Sequence, residues 1–234
     1  LAFVRNMKKL PYILAAISIA AIINQQFIIM RLTGMAHSAT MSSNASSPEL
    51  NGDTMNDAIA LSISSGAPDM YGQELGVSFN EVERSMAILQ QFDPGYGSRK
   101  INLSPTELTR YTDIGLRISC EYCCGAASIV FKDGSAACGC AHSQAMRGLA
   151  AYLLSQHKDE YSNDEILREL ARWKGMFFPK QMIEKTAKQL ANGSFTADIA
   201  ALALGKSLPQ YGNRRSNAPL PSSIQNLPGM VGGC

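Results

Sequence analysis

Five cysteines and one histidine fall between residues 120 and 142, as Cys120-Glu-Tyr-Cys123-Cys124 and Cys138-Gly-Cys140-Ala-His142, and no cysteine precedes them. Thiols at such close spacing hold soft metal ions or exchange disulfides. A structural zinc ion takes four Cys and His ligands, commonly as two short-spaced pairs on either side of a hairpin, and Cys120, Cys123, Cys138 and Cys140 supply them. Cys124 and His142 then stand in reserve. That surplus favours metal handling over a purely structural ion, and a thiophilic ion such as Cu(I) takes additional thiolates. Cys138, His142 and Met146 recur every fourth residue, so one helix face can carry all three, although methionine at helical spacing is usually core.

The same sulfurs admit a redox reading. Cys120 and Cys123 have the two-residue gap of a dithiol centre, and with Cys234 the chain holds an even six cysteines, enough for three disulfides. Adjacent Cys123 and Cys124 are poorly placed to bond each other. An iron–sulfur cluster also takes four thiolates and ranks third, because its assembly outside a reducing compartment is awkward. Neither cysteine pair is followed directly by histidine, so the attachment motif of c-type haem is absent.

These residues need elements to bring them together. Ser104-Pro105-Thr106-Glu107 joins a cap residue, a first-turn proline and a capping-box glutamate, predicting a helix that runs toward Cys120. Ile129-Val130-Phe131, Asp133-Gly134 and Ser135 to Ala137 read as strand, turn and return strand, a hairpin that folds one cysteine group onto the other. Met146, Leu149, Leu153 and Leu154 predict a helix after Cys140, continuing to about His157. Its N-terminal dipole favours thiolate at the second cysteine group. Upstream, Phe79, Val82, Met86 and Leu89 describe another helix face. Downstream, a capping box at Ser162 to Glu165 opens a helix that Pro179 ends, Asn192-Gly193 stops the next, and an alanine-rich helix ends at Gly205. Trp173, Phe177 and Phe178 read as core, Glu121 as a solvated loop acid, and His157 as a helix-end residue facing free carbonyls.

Four of the 21 basic residues, Arg5, Lys8, Lys9 and Arg31, lie in the first 31 positions, which hold no acid. The remainder, with all 19 acidic residues, is mildly acidic and offers no electrostatic footprint for nucleic acid. Leu10 to Met30 is apolar apart from Asn24, Gln25 and Gln26, and about twenty such residues cross a bilayer. Three bases before the span against one after it place the N-terminus in the cytoplasm and the body outside. Cleavage near Ala36-His-Ser-Ala39 is the alternative. Residues 32–76, rich in Ser, Gly, Ala, Asn and Asp, read as a flexible stalk that includes His37. No nucleophile triad, phosphate loop or paired-carboxylate site is present.

The blocks Tyr71-Gly-Gln-Glu-Leu-Gly-Val-Ser78, Ile118-Ser-Cys-Glu-Tyr-Cys-Cys-Gly125, Ala137-Cys-Gly-Cys-Ala-His-Ser-Gln-Ala-Met-Arg-Gly148 and Met230-Val-Gly-Gly-Cys234 resemble a family of uncharacterised, membrane-anchored archaeal proteins. The resemblance covers most of the chain after the stalk and implies an anchored cysteine-rich domain, without an established activity. More loosely, the cysteine block followed by Met146-Arg-Gly-Leu149 and Asp164-Glu-Ile-Leu167 is similar to the Pro-Cys-Tyr-Cys-Gly-Cys motif proteins. It is also similar to the helical-hairpin thiol subunit of cytochrome c maturation. From the latter the chain departs by its five clustered cysteines and inserted hairpin.

The expectation is therefore a mainly α protein: a small helical domain with a short β-hairpin at a cysteine-rich centre, plus one N-terminal transmembrane helix. Its segments are a basic flank (1–9), an anchor or signal sequence (10–31), the stalk (32–76), the helical domain (77–205) and a tail (206–234). The expected work is binding zinc or copper outside the cytoplasm through Cys120, Cys123, Cys124, Cys138, Cys140 and His142. The alternative is thiol–disulfide redox or electron transfer by the same cysteines, with an iron–sulfur cluster or no cofactor. Expected partners are the membrane, the metal ion and another membrane protein that receives metal or electrons, and not nucleic acid.

Overall fold

Local sequence signals set most helix ends. A computed structural model describes residues 49–211 and 222–233. The helices are α1 (Thr54–Ser62), α2 (Gly72–Leu75), α3 (Val82–Leu89), α4 (Pro105–Leu116), α5 (Ala141–Gln156), α6 (Asn163–Phe177), α7 (Pro179–Asn192), α8 (Ala197–Leu202) and α9 (Ser222–Gln225), with a 3-10 turn at Gln90–Phe92. Both capping boxes form: Ser104 and Glu107 close the start of α4, and Ser162 and Glu165 that of α6. Pro179 separates α6 from α7, and Gly193 ends α7 with φ +66°. Left-handed backbone at that position suits glycine, which has no Cβ to clash.

α5 is the central element. From His142 to Leu154 every residue except Gln144 is buried, which is how a helix behaves when neighbours cover all its sides. It packs on α3, the 3-10 turn, α4 and α6, while α7 packs on α1 and α6, and α8 on α6. Two glycines make the tightest of these approaches possible. A Cβ on Gly148 would overlap the Leu89 carbonyl oxygen, and one on Gly175 would overlap that of Ser62. Trp173, Phe177 and Phe178 are core residues, as expected.

The sequence reading is corrected at two places. The stalk expected over 32–76 gives way to folded chain in its described part. α1 buries Ala58 and Leu61 against the domain, Ser62 Oγ lies 2.8 Å from Thr186 Oγ1, and the buried Tyr71 accepts a hydrogen bond from Trp173 Nε1 at 2.7 Å. The small apolar residues there fill a helix-packing surface, and the polar ones cap it, as Asp53 does for α1. The hairpin shrinks to one antiparallel bridge, Val130 with Ala136, and the described residues contain no strand. Asp133-Gly134 does make the turn, with Gly134 at φ +81° and Phe131 N–H donating to Ser135 O. Beside the bridge the Ile129 carbonyl accepts from both Ala137 N–H, at 3.2 Å, and Arg147 Nη1, at 3.1 Å, and the Cys138 carbonyl accepts from Arg147 Nη1 at 2.8 Å. The expected tail is also partly docked: Ile224 is buried, Tyr211 donates to Asp57, and Val231 N–H donates to Phe177 O.

The basic flank, the expected span at 10–31 and residues 32–48 lie outside the described residues, as does Cys234. Among the described residues no helix is long and apolar enough to cross a membrane.

Candidate metal centre

Two limbs of chain carry the thiols to the start of α5. The first follows α4, where Ile118 O accepts from Ile129 N–H and Cys123 N–H donates back to Cys120 O in a tight turn. Glu121 anchors that turn. It is not the solvated acid expected, because it accepts from Lys174 Nζ at 2.9 Å and Lys185 Nζ at 2.7 Å, and both lysines also hold Asp198. Burial pushes Glu121 upward, but the two ammonium groups win and hold it below the usual carboxylate value. Tyr122 packs edge-on against Phe178. The second limb is held by Arg147, whose bond to Cys138 O is backed by a two-point ion pair with Asp93 at 3.0 and 2.7 Å, both side chains fully buried.

Cys140 caps α5. Its sulfur accepts from Ser143 N–H at 3.5 Å and lies 3.5 Å from Cys120 Sγ. The Cys120 thiol donating to it, with help from Ser143, holds Cys140 well below the ordinary thiol range against the opposing effect of burial. Giving that proton pushes Cys120 strongly upward. Cys138, desolvated and close to other sulfurs, is pushed up to about 11.

The ligand atoms divide into two sets. Those of Cys120, Cys123, Cys140 and His142 all lie within 4.8 Å of one another, and so do those of Cys124, Cys138 and Cys140. A tetrahedral ion with metal–sulfur bonds of about 2.3 Å requires sulfur–sulfur edges of about 3.8 Å, so both sets are near coordination distance. The four first-choice ligands of the sequence reading do not form one set. His142, a reserve there, joins the inner group, and Cys138 moves to the outer one beside exposed Cys124. The reason is helical geometry: Cys138 precedes α5 by two residues beyond its cap and cannot share a helix face with His142. Met146 lies in the core, as methionine at helical spacing usually does.

His142 is the most informative member. It is fully buried against Phe177 and Phe178, and its Nε2 lies 2.8 Å from Val231 O. A carbonyl only accepts, so Nε2 donates to it, which leaves Nδ1 as the ring nitrogen available to a ligand. Nδ1 has no partner at hydrogen-bond geometry, and neither has Ser143 Oγ beside it. These are two of the three buried side-chain polar atoms left unsatisfied among the described residues. Ligating histidines commonly have their other ring nitrogen fixed on a carbonyl in this way.

Cys123 is disulfide-bonded, whereas Cys120, Cys124, Cys138 and Cys140 are free. Its sulfur therefore stands at ligand distance without being a thiolate, and Cys120, Cys140 and His142 are the inner donors ready to bind. The other histidine of the domain, His157, takes no part. It bonds Glu160 and Glu74, both at 3.0 Å, where free helix-end carbonyls were expected. A surface cavity of about 550 Å³ opens beside Tyr122 and is lined by Lys185, Lys188 and Phe195 but by no cysteine.

Sequence reading missed Arg147, Asp93, Lys174 and Val231. An arginine within the apolar run of α5 was a usable signal, whereas nothing local marks Val231 as the histidine's partner. No family model matches the chain, and comparison with curated proteins and with solved structures finds no significant match. The fold and site together define a helical domain whose clustered Cys and His side chains are close enough to hold a metal ion.

Proposed function

We propose that this protein binds a soft or borderline transition-metal ion, zinc or copper, through Cys120, Cys140 and His142, with Cys123 as fourth ligand when its sulfur is a free thiol. The carrying observation is His142: its Nδ1 is buried without a hydrogen-bond partner, its Nε2 is held by Val231 O, and its ligand atom lies within 4.8 Å of the Cys120, Cys123 and Cys140 sulfurs. An unsatisfied buried acceptor costs roughly 1–3 kcal/mol, and a cation that also balances the thiolates removes that cost. The apolar span at Leu10 to Met30 supports placing the domain outside the cytoplasm on a membrane anchor. Its partner is then another membrane protein that takes the metal.

A second reading, thiol–disulfide exchange, is favoured by the bonded state of Cys123 beside Cys140, whose thiol is held below the ordinary range. Elemental analysis of protein purified under mild reductant separates the two. Metal binding predicts about one equivalent of zinc or copper, lost in Cys140→Ser and His142→Ala. Metal-free protein that exchanges with a small disulfide, unchanged by His142→Ala, would overturn it.

A further inference from the structure

We infer that Cys140 is shared by two alternative metal sites and that the disulfide state of Cys123 decides which one is complete. While Cys123 is bonded, the outward trio Cys124, Cys138 and Cys140 offers three free sulfurs, suited to a monovalent thiophilic cation such as Cu(I) in trigonal coordination. When Cys123 is reduced, the inward quartet Cys120, Cys123, Cys140 and His142 has four donors, suited to a tetrahedral ion. This rests on the metal-binding reading above and adds its regulation.

The two sets differ in access. Cys124 is exposed and Cys138 half-buried, whereas Cys120 and His142 are fully buried. Sharing one thiolate lets an ion exchange ligands between the sets without passing through water. Of the six cysteines in the sequence, four are free and Cys123 is bonded, which leaves Cys234 as its partner within the chain. Neighbouring residues support that assignment. Val231 is tied to both His142 and Phe177 O, and a Cβ on Gly232 would lie 3.8 Å from His142 Nε2. Cys234 follows Val231 by three residues, and at about 3.5 Å per residue such a stretch can span about 10 Å, enough for the pairing the switch requires.

The chemistry balances with an external dithiol as reductant. Its two thiols deliver two electrons and two protons to the Cys123–Cys234 bond. That bond breaks to two thiols, and the reductant leaves as a disulfide. Binding of an ion then displaces the thiol protons of its ligands to water. The same segment that positions His142 through Val231 thus controls whether the fourth ligand is present.

The test uses the full chain in three measurements. Peptide mapping without reductant should find Cys123 joined to Cys234. Competition titrations with Cu(I) and with zinc, before and after dithiothreitol, should give opposite dependences. In the oxidised protein, Cys124→Ser or Cys138→Ser weakens Cu(I) binding at least tenfold, and zinc binds weakly. After reduction zinc binds at least tenfold more tightly, and that gain is lost in Cys123→Ser and kept in Cys124→Ser. Cys234→Ser should show the reduced behaviour without dithiothreitol. Free Cys123, or zinc affinity equal in both states, overturns the switch while leaving metal binding intact. A Cys123–Cys234 bond in a protein that binds neither ion in either state overturns the metal reading and the switch with it.

Discussion

Two polar sites flank the second cysteine limb, and they differ in whether their groups are satisfied. The Arg147–Asp93 pair is fully buried, yet opposite charges meet at two points and the remaining guanidinium donors take the Ile129 and Cys138 carbonyls. The thiol centre brings like groups together. There Cys120 Sγ and Cys140 Sγ lie 3.5 Å apart, and Nδ1 of His142 has no hydrogen-bond partner. The first site is complete within the protein and serves position. The second leaves buried polar groups unpaired, which the proposed binding of an ion would satisfy.

Breaking the satisfied site should have the largest effect on folding. Arg147→Met leaves the buried Asp93 without its cation and takes the guanidinium from the Cys138 carbonyl, so it should lower stability by about 3–5 kcal/mol in urea denaturation. The double change with Asp93→Leu should recover most of that loss. A single substitution costing under about 1 kcal/mol would erase the distinction between the two sites. Cys140→Ser, by contrast, keeps an oxygen cap on α5 and should remove metal while leaving the metal-free domain folded.

Acid sharpens the comparison at the other anchor. Burial pushes Asp198 upward, but Lys174 and Lys185 hold it well below the usual carboxylate value. A depressed carboxylate stabilises the fold above its unfolded value of about 4, and the contribution is lost as pH falls toward the folded value. Stability measured from pH 5 downward should therefore fall, and Lys174→Met should flatten the slope. A slope unchanged by that substitution would mean that Lys174 does not hold Asp198.

The smallest effect belongs to a helix start far from any thiol. Ser162→Ala opens a capping box and should cost about 1 kcal/mol with metal content unchanged, read by thermal denaturation and elemental analysis. Metal loss in that variant would mean that global stability, not ligand identity, governs the centre.

Much of this domain was legible residue by residue. The capping boxes at Ser104 and Ser162, the stop at Gly193, the turn at Gly134 and the apolar period of α5 are each decided within about four residues of chain, which is the reach of a helical or turn hydrogen bond. The convergence of thiols at the start of α5 was legible too, because a short link between two cysteine groups leaves them little room to separate. Illegible were α1, whose small apolar residues resembled stalk until α7 gave them a surface, and Glu121, whose lysine partners lie 53 and 64 residues away.

The sequence alone determined that this protein carries a sulfur-rich centre at a helix N-terminus within a mainly helical domain, because spacing and caps act locally. Only the tertiary structure decided which sulfurs stand together, that His142 replaces Cys138 in the inner set, and which imidazole nitrogen faces them. Those choices depend on Val231, 89 residues from His142, and on Asp93, 54 residues from Arg147, contacts that no local pattern encodes.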